Sequence, residues 1–164
     1  QNGAFWAGLL FNWRPNYPMQ PGTMFITYAF LHSGFWHLVG NMASLIFLSG
    51  IAIRRVGQGV FALIYIVSAL GGGIMFAFLT KSPAPMVGAS GALFGLVGAW
   101  QYWEWKDLKC AGLSRWPVWR AVLGLAALNL LMWWLMDGSL AWETHLGGFV
   151  FGWVVAFLCG HRDK

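Results

Sequence analysis

Charged residues are scarce in this chain of 164 residues, of which only 9% are Asp, Glu, Lys or Arg and only five are acidic. Hydrophobic residues make up 59% of the chain and aromatic residues 18%. A soluble globular domain carries charge on about a quarter of its residues, because its surface must face water. The shortage of charge therefore excludes an ordinary soluble domain and indicates a polytopic membrane protein.

Cysteine is also scarce, and the two thiols are Cys110 and Cys159. They form no disulfide framework, and we expect both on the cytoplasmic side, where thiols stay reduced. The net charge of +5 would suit nucleic acid. The basic residues, however, lie at predicted helix ends rather than along one face, so we expect no nucleic-acid partner.

Residues 1–22 are not expected to cross a bilayer. Their apolar patch at 4–11 is too short to span about 30 Å of hydrocarbon, and three prolines follow it. We interpret this segment as an interfacial loop with Trp6, Trp13 and Tyr17 at headgroup level. The chain starts without Met and shows no signal peptide, so we interpret it as beginning inside a longer protein.

Five later stretches are apolar and long enough to span a bilayer. The predicted helices run over about 35–53, 60–79, 87–103, 118–136 and 141–159. The predicted fold class is an all-α membrane protein. It is a polytopic transmembrane helix bundle with five spanning helices, preceded by the interfacial loop 1–22, in a single domain over 1–164.

Basic residues predict the orientation of this bundle. One side carries Arg54, Arg55, Lys106, Lys109, Arg115, Arg120, Arg162 and Lys164, and the other carries Arg14 and Lys81. By the positive-inside rule the more basic side is cytoplasmic. The loop 1–22 and the Ser90 end are therefore expected on the outer side.

Ser90 lies in a small-residue stretch at 88–91, just where the third predicted helix begins. Such a serine is either a small residue that lets helices pack closely or an exposed nucleophile. Counted at about 1.5 Å per residue from the cytoplasmic ends, Ser90, His145 and His37 lie at depths of about 21, 24 and 25 Å. This common depth is a necessary condition for a shared site and favours the nucleophile.

A serine hydroxyl needs a base, and His145 is the best-placed candidate. His37 and Asn41 are four residues apart and share a helix face, so both can donate to an oxyanion beside the Ser90 backbone N–H. Glu143 lies on nearly the opposite side of its helix from His145. With no third acid evident, we predict a two-residue dyad.

Each of these residues also has a purely structural interpretation. An isolated histidine such as His37 is commonly a packed, hydrogen-bonded residue, and Asn41 is a usual partner between helices. A metal site formed by His32, His37 and His145 is a further alternative. No carboxylate has ligand spacing with these histidines, and we expect no metal.

Glycines near the candidate site are spaced for close helix packing. Gly91 and Gly95 on one helix, and Gly148 and Gly152 on another, form small-xxx-small pairs. Tight packing of these two helices would also bring the Ser90 hydroxyl within reach of the imidazole.

Three stretches resemble motifs of the rhomboid family of intramembrane serine proteases. They are His-Ser-Gly-Phe-Trp-His-Leu-Val-Gly-Asn at 32–41, Gly-Ala-Ser-Gly at 88–91, and His-Leu-Gly-Gly at 145–148, followed by Gly152. Their order, spacing and helix placement agree with the family. The resemblance covers nearly the whole chain.

The resemblance implies a bundle of six or more helices with Ser90 as nucleophile and His145 as general base and acid. It implies an oxyanion hole formed by His37, Asn41 and the Ser90 N–H. It also implies transmembrane protein substrates, cleaved near the outer end of a single spanning helix, with no metal or other cofactor. The implied location is a bacterial inner (plasma) membrane, with the active site opening to the periplasmic or extracellular side.

Three features depart from the family pattern. The first transmembrane helix has no counterpart, so the chain is expected to begin in the large loop that follows it. Thr23-Met24 stands where bacterial members often carry Trp-Arg. Phe94 stands where a tyrosine often stacks on the base, and it can stack on His145 without offering a hydroxyl.

The expected function is therefore that of an intramembrane serine endopeptidase. The first alternative is a catalytically silent rhomboid-like protein that binds transmembrane helices. Such relatives usually lose the serine or the histidine, and this chain keeps both. The second alternative is a transporter, which would place polar residues at the midplane and show an inverted repeat, and the sequence shows neither.

Overall fold

The structure, a computed structural model, describes residues 2–159, and the regular secondary structure of that part is helical. The helices are α1 (Gln20–Thr27), α2 (Phe35–Leu79), α3 (Ser90–Cys110), α4 (Trp116–Leu135) and α5 (Trp142–Cys159). Short 3-10 turns lie at Ala7–Leu10 and Tyr28–Phe30. The predicted all-α fold class is confirmed. Arg162 and Lys164, expected on the cytoplasmic side, lie outside the described residues.

Helix α2 consists of two arms that meet at Gly57. The backbone there leaves the helical region, with φ 78° and ψ 170°, a conformation that costs glycine little because it has no Cβ. Leu48 on the first arm and Ile64 on the second belong to the same buried cluster. The chain therefore folds back at Gly57, between the helices predicted at 35–53 and 60–79.

Helix α3 is longer than the predicted helix at 87–103, and the prediction that it ends at Trp103 is wrong. The polar residues after Trp103 end the apolar run, but they are good helix formers. The helix ends only where Gly112 adopts φ 68°. There the Leu113 N–H donates to the Leu108 carbonyl over 2.9 Å and the Gly112 N–H donates to Lys109 over 3.2 Å, which is the Schellman arrangement.

The segment before α1 is packed onto the bundle. Phe5 is fully buried, and it exchanges two backbone hydrogen bonds of 2.9 Å with Met86. The interpretation of 1–22 as a loop is wrong at its end, because α1 begins at Gln20. Pro21 does not prevent this, since proline is tolerated in the first turn of a helix, where its missing N–H is not needed.

Helices α2, α3 and α5 pack pairwise against one another, and the contact between α3 and α5 is very close. A Cβ added to Gly148 would lie 1.8 Å from the carbonyl oxygen of Gly91, and one added to Gly152 would lie 1.9 Å from that of Gly95. No side chain fits at such distances. The two backbones are therefore in direct contact, as small residues allow in membrane helices.

Helix α4 lies at the side of this core. Of its 20 residues, Val118 alone is buried. By length and composition α2, α4 and α5 are candidate membrane spans, whereas α3 carries several polar residues in its second half. The exposed apolar surface of α4 suits contact with lipid, and the protein is an integral membrane protein.

Several basic residues gather at the end of α3 opposite to its first residue. The Arg55 guanidinium lies 2.6 Å from the Asp107 carboxylate. Lys109 and Arg115 lie over the Trp105 ring, 5.1 and 5.5 Å from its centroid. These three basic residues thus lie at the same end of α3, as the charge pattern predicted, and their location on the cytoplasmic side stays a prediction.

Candidate active site

Ser90 is the first residue of α3 and follows a turn that requires glycine. Gly88 has φ 133°, and its N–H donates to the Tyr28 carbonyl over 3.0 Å. A Cβ at Gly88 would lie 2.8 and 2.9 Å from Cε1 and Nε2 of His37. Glycine at this position therefore allows both the turn and the close approach of the His37 ring to the backbone just before Ser90.

The structure brings the side chains of Ser90 and His145 into contact. The Ser90 Oγ lies 2.9 Å from the His145 Nε2, and only 8% of His145 is exposed. Phe94, one turn after Ser90, stacks on the imidazole with ring centroids 4.1 Å apart and planes inclined by 6°. The imidazole is thus held in one orientation, between an aromatic face and the serine hydroxyl.

Asn129 of α4 also contacts His145, and the sequence analysis missed it. Its Oδ1 lies 2.5 Å from the His145 Nδ1, and its Nδ2 donates to the Leu125 carbonyl over 2.9 Å. Asn129 is an amide, whereas a third group beside the dyad was expected to be an acid. The available signal was an amide in an otherwise apolar helix, since a polar residue within a membrane span is itself an indicator of function.

The hydrogen bonds of His37 determine which of its nitrogens carries the proton. The Ser33 N–H donates to the His37 Nδ1 over 3.3 Å, and the Ser33 Oγ lies 2.9 Å from the same atom. A backbone N–H can only donate, so Nδ1 is the acceptor and Nε2 of the neutral ring carries the hydrogen. Nε2 and Cε1 are the atoms that lie beside Gly88, so the N–H donor of His37 lies at the turn that precedes Ser90.

Two further donors belong to the predicted oxyanion site. Asn41 is buried, and its Nδ2 has no hydrogen-bond partner among residues 2–159. A buried donor left unpaired costs about 1–3 kcal/mol, so it favours any acceptor that reaches it. The Ser90 N–H is one of the first N–H groups of α3, which have no partner within the helix. The roles of Asn41 and the Ser90 N–H stay predictions.

The alternative metal site can be compared directly with the structure. The rings of His32 and His37 lie edge to face, with centroids 5.2 Å apart. Within residues 2–159, no group of three His, Cys, Asp or Glu side chains is placed to hold a metal ion.

A cavity of about 480 Å³ lies beside His145, between α4 and α5. Its walls are mainly aliphatic and aromatic, and His145 and Asn129 are the ionisable and amide side chains that line it. The volume lies within the range of about 300–1,000 Å³ that holds small organic ligands. The imidazole therefore borders a space that admits an apolar chain.

The groups gathered here are of the kinds that acyl transfer requires. The hydroxyl has a base within hydrogen-bond distance, the base has an orienting partner, and N–H donors lie near the same serine. The direct contact of α3 and α5 and the turn at Gly88 bring the groups together.

The chain is similar to known proteins over most of its length. The chain matches the family model for the Rhomboid domain over residues 20–162. It is similar to "RHOMBOID-like protein 6, mitochondrial" of Arabidopsis thaliana, with 36% identity over 143 residues that cover 81% of this chain and 42% of the relative. It is also similar to "Putative rhomboid protease YdcA" of Bacillus subtilis (strain 168), with 30% identity over 139 residues that cover 85% of this chain and 68% of that protein.

A shorter match is to "Rhomboid protease GluP" of the same bacterium, with 42% identity over 72 residues, or 44% of this chain and 14% of that protein. The chain spans less than half the length of the plant relative. The family match, however, runs from the start of α1 to beyond the last residue of α5. Because that match includes every α-helix described above, this chain belongs to the rhomboid family.

Proposed function

We propose that this chain is an intramembrane serine endopeptidase that cleaves single-span membrane proteins near the outer face of the membrane. The observation that carries the proposal is the 2.9 Å distance between the Ser90 Oγ and the His145 Nε2. The family membership supports it, because two bacterial relatives bear the name of rhomboid protease. A serine without a base is a poor nucleophile, so this contact is the feature that separates an enzyme from a binding protein.

In the proposed reaction, the Ser90 Oγ attacks the carbonyl carbon of the scissile peptide while the His145 Nε2 takes the hydroxyl proton. The carbonyl π electrons move to the oxygen, which becomes an oxyanion. The C–N bond then breaks, and the imidazolium gives its proton to the leaving amine. Water attacks the carbonyl carbon of the resulting ester as His145 removes one of its protons. The C–O bond to Ser90 then breaks, the imidazolium returns its proton to the Ser90 Oγ, and the acid product leaves.

The oxyanion is proposed to be stabilised by three N–H donors. The hydrogen on the His37 Nε2 lies beside the turn at Gly88, and the Asn41 amide is an unpaired donor one helical turn further along. The Ser90 N–H adds the positive end of the α3 dipole. Donors that are already in place need no reorganisation when charge develops, and each is worth about 10²–10³ in kcat.

The surroundings of the site favour an apolar substrate that opens locally. A peptide bond within a helix has its carbonyl hydrogen-bonded, and breaking that bond within hydrocarbon is costly. At the Ser90 end of the bundle the freed groups would meet N–H donors, and the cavity beside His145 would receive apolar side chains. Transmembrane protein substrates and the lipid bilayer are therefore the proposed partners.

The proposed location follows from the charge pattern. Arg55, Lys109 and Arg115 lie toward the end of the bundle away from Ser90. If that end is cytoplasmic, the site opens to the periplasmic or extracellular side of a bacterial inner membrane. Reaction of engineered surface cysteines at either end with an impermeant thiol reagent tests this orientation.

The test of the proposed activity uses the purified chain in detergent and in proteoliposomes. Cleavage of a model single-span substrate and labelling by a fluorophosphonate are measured for wild type, Ser90→Ala and His145→Ala. Both variants are expected to lose cleavage and labelling without a change in thermal unfolding. Ser49→Ala is the matched control, because that exposed hydroxyl bonds only the Ile46 carbonyl of its own helix, and it is expected to behave as wild type.

Two results would count against the proposal. Cleavage by Ser90→Ala at the wild-type rate would exclude Ser90 as the nucleophile. A folded wild-type protein that binds the substrate helix but neither cleaves it nor reacts with the probe would be the catalytically silent relative.

A further inference from the structure

Asn129 occupies an unusual place in this molecule. Helix α4 is almost entirely exposed, with Val118 as its buried residue, yet its one amide reaches the imidazole that contacts Ser90. The two hydrogen bonds of the amide run to the Leu125 carbonyl at 2.9 Å and to the His145 Nδ1 at 2.5 Å. A side chain that is fixed by one hydrogen bond to its own helix and makes a second to His145 can control the orientation and the tautomer of the imidazole.

The partner on each side of this amide fixes its orientation. The Leu125 carbonyl can only accept a hydrogen bond, so the atom of Asn129 that faces it is the NH₂ group. The atom that faces His145 is therefore the amide oxygen, which can also only accept. It follows that the Nδ1 of His145 carries a hydrogen. The Nε2 of the neutral ring then has a free lone pair, directed at the Ser90 hydroxyl 2.9 Å away.

We propose that Asn129 is a positioning residue that holds His145 in the Nδ1–H tautomer, the form that can take the proton of Ser90. The proposal rests on the proposed peptidase function, and it extends the predicted dyad to an ordered row of hydroxyl, imidazole and amide. In the other tautomer Nε2 would carry the hydrogen and could not act as a base toward the serine.

The second histidine of the site has the opposite arrangement. The Ser33 N–H donates to the His37 Nδ1, which leaves the hydrogen on Nε2. His37 is thus kept as a donor toward the serine and His145 as an acceptor. Each assignment comes from a neighbour that has only one hydrogen-bonding role at that atom, a backbone N–H for His37 and an anchored amide oxygen for His145.

The surroundings explain why an amide suits this position. Asn129 lines the largely apolar cavity between α4 and α5, where an ionised carboxylate would lose its hydration. A neutral oxygen orients the ring without placing a charge there. A carboxylate at 129 would also orient the ring, but it would favour the imidazolium, so the free base would be lost at a higher pH than in wild type.

The experiment compares wild type with Asn129→Leu, which has a similar size and no acceptor, and with Asn129→Asp, which keeps the acceptor. Leu131→Ala is the matched control, because this residue of α4 is half exposed and does not line the cavity. The protein carries ¹⁵N-labelled histidine in detergent micelles. We measure kcat and KM for a model single-span substrate, the pH dependence of kcat, and the imidazole ¹⁵N shifts assigned to His145.

For Asn129→Leu we expect kcat to fall about 10–100-fold at unchanged KM, a milder loss than the roughly 10⁴-fold seen when a triad histidine is held in the wrong tautomer. Its ¹⁵N shifts should move from Nδ1–H toward a mixture of tautomers. Asn129→Asp should restore kcat at high pH, with the acidic limb of the profile moved to higher pH. Leu131→Ala should change none of these quantities.

Other outcomes separate this inference from the peptidase proposal. A loss of kcat in Asn129→Leu with unchanged ¹⁵N shifts, or no change in either, overturns the positioning role. Should Asn129→Leu fail to fold, an Asn129→Asp profile identical to that of wild type overturns it. A third outcome is a wild-type protein that has no peptidase activity but shows the Nδ1–H form of His145, with that form lost in Asn129→Leu. This result supports the positioning role of Asn129 and refutes the peptidase proposal.

Discussion

Replacing Gly148 by alanine would test whether the contact between α3 and α5 sets the distance between the serine and the histidine. A Cβ at Gly148 would lie 1.8 Å from the Gly91 carbonyl oxygen, whereas real Cβ contacts are essentially never shorter than 3.0 Å. The difference, 3.0 − 1.8, requires the two helices to separate locally by about 1.2 Å. Gly148 lies three residues after His145 and Gly91 directly follows Ser90, so the separation falls at the site itself.

The expected effect on the reaction follows from that displacement. A distance of 2.9 Å between the Ser90 Oγ and the His145 Nε2 would grow to about 4 Å, which is beyond hydrogen-bond length. A misplacement of about 1 Å costs on the order of 100-fold in rate, so kcat for Gly148→Ala is expected to fall by about that factor. Overpacking costs about 1–3 kcal/mol in stability, so the variant is expected to remain folded.

Gly124→Ala is the matched control, because that glycine of α4 has open space where its Cβ would be. Cleavage of a single-span substrate and the rate of fluorophosphonate labelling are measured for both variants, with unfolding in detergent followed in parallel. The Gly124→Ala protein is expected to match wild type. A displacement of about 1 Å should lower the rate on the order of 100-fold. If folded Gly148→Ala cleaved within about threefold of the wild-type rate, the helix contact would not set the distance between the Ser90 Oγ and the His145 Nε2.

Three further predictions address other parts of the molecule. His37→Ala removes one proposed oxyanion donor and should lower kcat about 10²–10³-fold with little change in KM, whereas a change in KM alone would place His37 in substrate binding. Phe5→Ala empties a fully buried site and should lower the free energy of unfolding by about 3–5 kcal/mol; a change below about 1 kcal/mol in detergent unfolding would contradict the packing of this segment. Arg55→Ala breaks an ion pair whose side chains are 45% and 53% exposed, so unfolding should change by less than about 1 kcal/mol and kcat should not change. A large loss of kcat in Arg55→Ala would connect this end of the bundle to the site.

The sequence predicted the helices well where apolar runs had clear ends. The break near Gly57 and the start of α5 both follow from composition. Hydrocarbon demands continuous hydrogen-bonded helix, so a helix is expected along each apolar run and a break is expected between two such runs. The end of α3 could not be placed in the same way. Its apolar run stops near Trp103, but the helix continues into polar residues, and only the local turn at Gly112 ends it.

The depth of the candidate site in the membrane was predictable from the sequence. The rotation of helix α4 about its own axis was not. Counting residues placed Ser90 and His145 in one layer, although the count for Ser90 began near Trp103 and α3 ends only at Cys110. The glycine spacing indicated the face on which their helices meet. Helix α4 gave no such indication, because a helix that is apolar all round has no preferred face. Asn129 therefore could not be directed toward His145 from the sequence, although its presence in the helix was visible.

The packing of Phe5 bears on where a shortened form of this chain should begin. The family match begins at residue 20, so Phe5 lies before its first residue. The strand-like pairing joins Phe5 to Met86, which is four residues before Ser90. A fragment that contains only the matched residues would keep every α-helix but would lose Phe5, whose ring packs against Phe25, Tyr28 and Phe76. Expression clones should therefore extend upstream of the recognised family border.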